Sequence, residues 1–157
     1  MTLHDRVFVL QPGEGKTVSV LGDRYTYKAV SEQTRGAYGL VETTAPASSS
    51  GPPPHVHPGE DEAFYVLEGD LTVLIADRTI SASAGSFAFV PRGTVHTFSN
   101  QSASDARFLA IISPAGFERA FEEMADVAPS ADQAPDMDRL MAIARKYNLE
   151  IVGPSPG

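Results

Sequence analysis

A chain of 157 residues with 42% apolar and 20% charged side chains has the size and make-up of one globular domain, and no apolar run approaches the roughly 20 residues that a spanning helix needs. The formal net charge of -8 and twelve scattered Lys and Arg residues argue against a nucleic-acid binder, because affinity for a phosphate backbone comes from clustered cations. There is no cysteine, which excludes a disulfide framework, a thiolate nucleophile and a sulfur-ligated metal, so any metal must sit on nitrogen and oxygen.

The first residues, "MTLHDRVFVL", carry charge before a short apolar stretch and show no small-residue cleavage pattern, so a cytoplasmic location is expected. From there to residue 113 short β-branched and aromatic runs alternate with Gly, Pro, Asn, Asp and Ser, the pattern of an all-β sandwich or barrel. The predicted strands are "RVFVL", "TVSV", "YTYKAV", "AYGLVETT", "HVH", "EAFYVLE", "LTVLIA", "SFAFV", "VHTFSN" and "ARFLAIIS". In "EAFYVLEGDLTVLIA" the pair Gly69 and Asp70 is expected to make a β-hairpin turn. Along the first of these strands Glu62, Phe64 and Val66 share one face and Ala63, Tyr65 and Leu67 the other, so both faces are apolar and the strand is expected to pack on two sides, against the barrel interior and against a second subunit or a covering helix.

After "SPAG" the period changes. Phe117, Ala120, Phe121 and Met124, then Leu140, Ile143, Ala144 and Tyr147, fall at i, i+3, i+4, i+7 and predict two short C-terminal helices, with starts at Ser113-Pro114 and at Asp136. The expected organisation is a barrel over 1–113, a helical extension packed on it over 114–150, and a flexible tail over 151–157.

Chemistry concentrates in two segments. In "PPPHVHPGEDEAF" the prolines favour extended backbone, so His55 and His57 project from one face of a strand, and a "PGED" turn brings Glu62 back to the same region. Two imidazoles and a carboxylate suit a divalent transition metal. In "GSFAFVPRGTVHTFSN" a Gly/Pro turn follows an apolar strand, and His96 opens the next strand on the same face as Phe98.

Together these segments resemble the paired motifs of the cupin superfamily. His55, His57, Glu62 and Gly69 stand at the intervals of its first motif, and Gly85, Pro91, Gly93, His96 and Asn100 at those of its second. One departure is that the glycine expected six residues before the first histidine is Ser49 here, with Gly51 nearby. The resemblance implies an antiparallel jelly-roll β-barrel in which His55, His57, Glu62 and His96 hold one divalent metal ion, Fe, Ni, Mn, Co, Cu or Zn. More finely, the chain resembles small single-domain cupins similar to quercetin dioxygenase. That likeness implies a metal-dependent dioxygenase acting on a small hydroxy-ketone, flavonol-like or polyphenolic substrate, with dioxygen as co-substrate and a homodimer as the assembly.

Glu62 is the one group at such a metal able to exchange a proton with substrate, hence ligand and general base. Phe64, Val66, Val73, Phe87, Phe89 and Phe98 are the expected substrate-pocket residues, and Tyr25, Tyr27 and Tyr38 are candidates for its border. Arg92 either pairs with Glu60 or Asp61 or is solvated, and His4 reads as a surface residue. The alternatives to dioxygenation are a non-redox metal-dependent cyclase, isomerase or decarboxylase, or a ligand-binding cupin without turnover.

Overall fold

The computed structural model describes residues 6–153. Eleven strands form two antiparallel sheets: β1 (Thr17–Val20), β2 (Asp23–Ala29), β3 (Gly39–Ala45), β4 (His55–Val56), β5 (Asp61–Glu68), β6 (Asp70–Ile75), β7 (Arg78–Ser83), β8 (Phe87–Val90), β9 (His96–Ser99), β10 (Ala106–Ser113) and β11 (Glu150–Ile151). The six-stranded sheet runs β1-β2-β3-β10-β5-β8 and the five-stranded sheet β11-β4-β9-β6-β7. From β3 onward the chain passes back and forth between the sheets, with only β6 and β7 staying together in one, as in a jelly roll, and the sheets meet through side chains rather than through edge hydrogen bonds. Phe108, Ile112, Val41, Val66, Leu71 and Val73 are at most 1% exposed between them. Burial of each such side chain is worth about 2 kcal/mol, which clamps the two layers together.

Three helices complete the fold: α1 (Ser31–Thr34), α2 (Ala120–Val127), entered through a 3₁₀ turn at Phe117–Arg119, and α3 (Met137–Lys146). α3 starts where sequence predicts, because the Asp136 side chain accepts the Arg139 N–H at 3.1 Å. α2 starts later than Ser113-Pro114. The buried Glu118 carboxylate accepts the N–H of Gly116 at 2.6 Å and of Ser31 at 2.8 Å, which fixes residues 114–116 as an irregular bend. No helix among the described residues is long and apolar enough to cross a membrane.

The expected hairpin at Gly69-Asp70 does not form. β5 pairs with β10 and β8, whereas β6 pairs with β7 and β9 in the other sheet. Gly69 alone separates the two strands, with φ +78°, and a Cβ there would lie 2.5 Å from the Asp105 carbonyl oxygen. Only glycine lets the chain turn this corner between layers. Residues 7–10 of the predicted "RVFVL" strand belong to no strand, while β7, α1 and β11 are additional elements. Ile151, assigned from sequence to a loose tail, pairs with His55, and the Val152 N–H donates to the Pro54 carbonyl at 2.9 Å. Residues 154–157 and His4 lie outside the described residues.

Candidate metal centre

Two sheets contribute to one cluster. The proline run delivers the chain extended into β4, whose His55 is paired in register with His96 of β9, and His57 follows just past the strand end. Glu62 comes from the opposite layer, on β5 between Ile112 of β10 and Val90 of β8. The "PGED" segment therefore carries the chain across the barrel rather than back along one sheet, and Glu62 faces the histidines through the interior. One ligand atom from each of His55, His57, Glu62 and His96 lies within 4.8 Å of all the others. Glu62 Oε2 is 2.9 Å from His96 Nε2 and 3.3 Å from His57 Nε2.

The surroundings hold these groups in place. Asp61, next to Glu62, accepts from the Arg92 backbone N–H at 3.0 Å and from its Nε at 3.1 Å, tying the turn before β9 to the start of β5. This settles the partner of Arg92 as Asp61. The Gly93 N–H donates to the His57 carbonyl at 3.0 Å. Gly51 closes the other side, since a Cβ at its φ of +72° would fall 1.7 Å from the Phe98 carbonyl oxygen, and it supplies the close approach that the departure at Ser49 left open. Ser49 instead donates through Oγ to buried Asp23 at 2.7 Å. Asn100 is a structural knot: its Nδ2 donates to the carbonyls of Ala45, Pro46 and Ser104.

The buried groups perturb one another strongly. Burial, then the neighbouring His96 and His57, pushes His55 down to about 4. For His57 burial acts downward but is outweighed by the Glu60 and Glu62 carboxylates, which raise it to about 9. For Glu62 burial acts upward and is outweighed by His57 and His96, which hold its carboxyl well below the usual range. Both ring nitrogens of His57 are buried without a hydrogen-bond partner among the described residues. An orphaned imidazole beside a buried carboxylate is costly unless a further group satisfies it. Three imidazoles and one carboxylate, all oxygen or nitrogen donors, fit a divalent transition ion.

An apolar cavity opens onto the cluster, lined by His55, His57 and Glu62 together with Tyr25, Thr43, Phe64, Phe98, Phe108 and Ala110 of the sheets and Phe117, Phe121, Met124 and Leu140 of the C-terminal region. Of the expected pocket residues, Phe64 and Phe98 line it. Val66 and Val73 instead fill the barrel core, each 1% exposed. Phe87 and Phe89 are corrected outright: they are 62% and 55% exposed on the outer face. The register explains this, because inward Glu62 and Phe64 lie opposite Val90 and Ala88, which turns Phe87 and Phe89 outward beside Tyr65 and Ala63. Tyr25 borders the cavity, Tyr27 donates its hydroxyl to the Glu118 carbonyl, and Tyr38 is exposed.

Sequence reasoning assigned the helical stripes to packing and missed the cavity wall they make. Phe117 sets its ring edge-to-face on His57 at 4.4 Å, and Tyr25 stacks on Phe121 at 4.1 Å.

Residues 40–112 match the family model described as "Cupin domain". This part of the chain is a cupin domain. This cupin is 26% identical over 152 residues to quercetin 2,3-dioxygenase of Bacillus subtilis, an alignment covering 94% of the chain and 44% of that relative, so it spans less than half of the relative's length. Among solved structures it resembles a predicted oxalate decarboxylase from Thermotoga maritima, with TM-score 0.62 and 23% identity over 68% of this chain and 99% of that one. It also resembles the polyketide cyclase RemF from Streptomyces resistomycificus, with TM-score 0.60 and 22% identity over 68% and 79% of the two chains. At these identities the two structures speak for the fold alone.

Proposed function

We propose that this cupin is a metal-dependent dioxygenase acting on a small hydroxy-ketone of flavonol-like or polyphenolic type. The observation that carries the reading is the cavity wall: it is aromatic and aliphatic, and contains no Lys or Arg among the described residues. A phosphorylated sugar would find no Lys or Arg beside the metal to meet its phosphate, whereas a planar, weakly polar molecule is matched by Phe64, Phe98, Phe108 and Phe117. The likeness to quercetin 2,3-dioxygenase supports the same class.

In this reading His55, His57, Glu62 and His96 hold the ion, which when bound supplies Lewis acidity and a docking point for vicinal oxygens and for dioxygen. The chain's own groups do the rest. Among the described residues Glu62 is the only carboxylate lining the cavity, and it is the group placed to take the proton of a substrate hydroxyl. The phenyl rings hold the substrate plane, and Leu140 and Ile151 extend the apolar lining around it. We also infer a homodimer, supported by the exposed aromatic trio Tyr65, Phe87 and Phe89 beside the edge strand β8.

The test is dioxygen uptake by the metal-reconstituted protein with quercetin as probe. Uptake that requires both metal and flavonol, places two atoms of ¹⁸O₂ in the product and is lost in Glu62→Gln is the expected result. Equal product formation without oxygen overturns dioxygenation in favour of a cyclase, isomerase or decarboxylase, and tight binding without turnover overturns catalysis.

A further inference from the structure

For three histidines to serve one cation, each ring must turn an unprotonated nitrogen toward it, and what bonds the other nitrogen decides which one that is. His55 and His96 solve this locally and identically. His55 Nδ1 lies 2.8 Å from the Pro53 carbonyl oxygen and His96 Nδ1 3.0 Å from that of Thr94, in each case the residue two positions earlier. A carbonyl can only accept, so both rings carry a proton on Nδ1 and turn Nε2 to the cluster, where that of His96 lies 2.9 Å from Glu62 Oε2.

His57 has no such carbonyl. Its Nδ1 lies 3.6 Å from Glu60 Oε2 and its Nε2 3.3 Å from Glu62 Oε2. Two carboxylates thus compete for one ring proton. If the proton stays on Nε2, the ring points an N–H at the cluster and is useless as a ligand. Glu60 is equipped to win it. Its Oε2 and His57 Nδ1, 3.6 Å apart, are both buried with no hydrogen-bond partner among the described residues, and its neighbour Asp61 is already committed to Arg92, so of the two acids between Gly59 and Glu62 only Glu60 faces the ring.

We propose that Glu60 is a positioning residue that fixes His57 in its Nδ1–H form and so makes it competent to bind the metal. The inference rests on reading the cluster as a metal centre. It adds that one of the three histidines is oriented by a side chain, and is therefore the ring whose ligand strength a single substitution can tune. A carboxylate acceptor on Nδ1–H also raises the basicity of Nε2 relative to rings bonded to neutral carbonyls.

The experiment compares wild type, Glu60→Ala and Glu60→Gln, each stripped of metal and checked for folding by amide NMR dispersion. Long-range ¹H–¹⁵N correlation of the ring nitrogens is recorded at pH 10, above the value of about 9 to which the carboxylates raise His57. The expected result is Nδ1–H in wild type, a move of the proton to Nε2 in Glu60→Ala, and retention on Nδ1 in Glu60→Gln, whose amide oxygen still accepts. Cobalt(II) affinity, read by chelator competition, should fall roughly 10- to 100-fold in Glu60→Ala and only a few-fold in Glu60→Gln. An unchanged His57 tautomer in Glu60→Ala, or an unchanged cobalt affinity despite a moved proton, would overturn the assignment. Wild type that takes up no cobalt overturns the metal-centre reading instead, while the ring spectrum still decides the role of Glu60.

Discussion

Asp23 shows how much a single buried charge can cost away from the metal cluster. It is 1% exposed, and its carboxylate accepts from the Ser49 hydroxyl. Burial pushes its carboxyl up to about 6, the Ser49 hydrogen bond acting in the opposite direction. A folded-state value above the unfolded one means that the protonated form is the one the fold favours. The associated stability is fully present below about pH 4 and is lost as pH rises through about 6. Asp23→Asn keeps an acceptor for Ser49 without the charge. Urea unfolding should therefore give nearly equal stabilities for variant and wild type at pH 4, and an advantage for the variant of up to about 3 kcal/mol at pH 7.5. An advantage that is the same at both pH values would show that Asp23 is not ionised at cost in the fold. Natural retention of such a residue fits the order it imposes: Asp23 follows the β1–β2 turn and ties that turn to the loop that leads into His55.

Among the elements, β11 carries more of the site than its two residues suggest. It pairs with β4, the strand that presents His55, and Ile151 lines the cavity. Val152 is half exposed, yet its N–H holds the Pro54 carbonyl. Val152→Pro removes that donor without touching the core. It should cost about 1 kcal/mol of stability and lower cobalt affinity several-fold, while Val152→Ala changes neither; equal affinities in the two variants would detach β11 from the site. The sequence could not announce this strand, because "EIVG" near the chain end has no period long enough to read and a strand this short exists only through its partner. β7 escaped for a related reason. Its turn at Ala76 and Asp77 lacks the glycine that usually marks a two-residue hairpin, although Ala76 adopts φ +55°. By contrast β1, β5, β10, α2 and α3 were legible because each has an unbroken apolar period. The four ligand candidates were legible because their intervals are fixed by turns. Which face of β8 points inward was not, since Phe87 and Phe89 are as apolar as Ala88 and Val90 and only the register with β5 decides between them.

At the scale of the molecule, that same register leaves an apolar surface unaccounted for. Among the described residues β8 ends the six-stranded sheet with one side of its backbone unpaired, and Tyr65, Phe87 and Phe89 are exposed beside it. An exposed edge flanked by aromatics is a liability that most proteins cover. A second copy related by a two-fold axis would cover it with the identical strand running antiparallel, which satisfies both backbones at once and closes the assembly at two. Each copy carries a formal net charge of -8, so the charges oppose association and salt should strengthen it by screening them, the reverse of what an ion-paired interface would do. Light scattering should thus report about 33 kDa, twice the chain's 16.7 kDa, with tighter association at 0.5 M than at 0.05 M NaCl. Phe89→Glu should yield the monomer mass with an unchanged fold, because Phe89 contributes nothing to the barrel interior. A wild-type protein that stays at the monomer mass at 100 μM in high salt would rule the pairing out, and the aromatic face would then need a different cover.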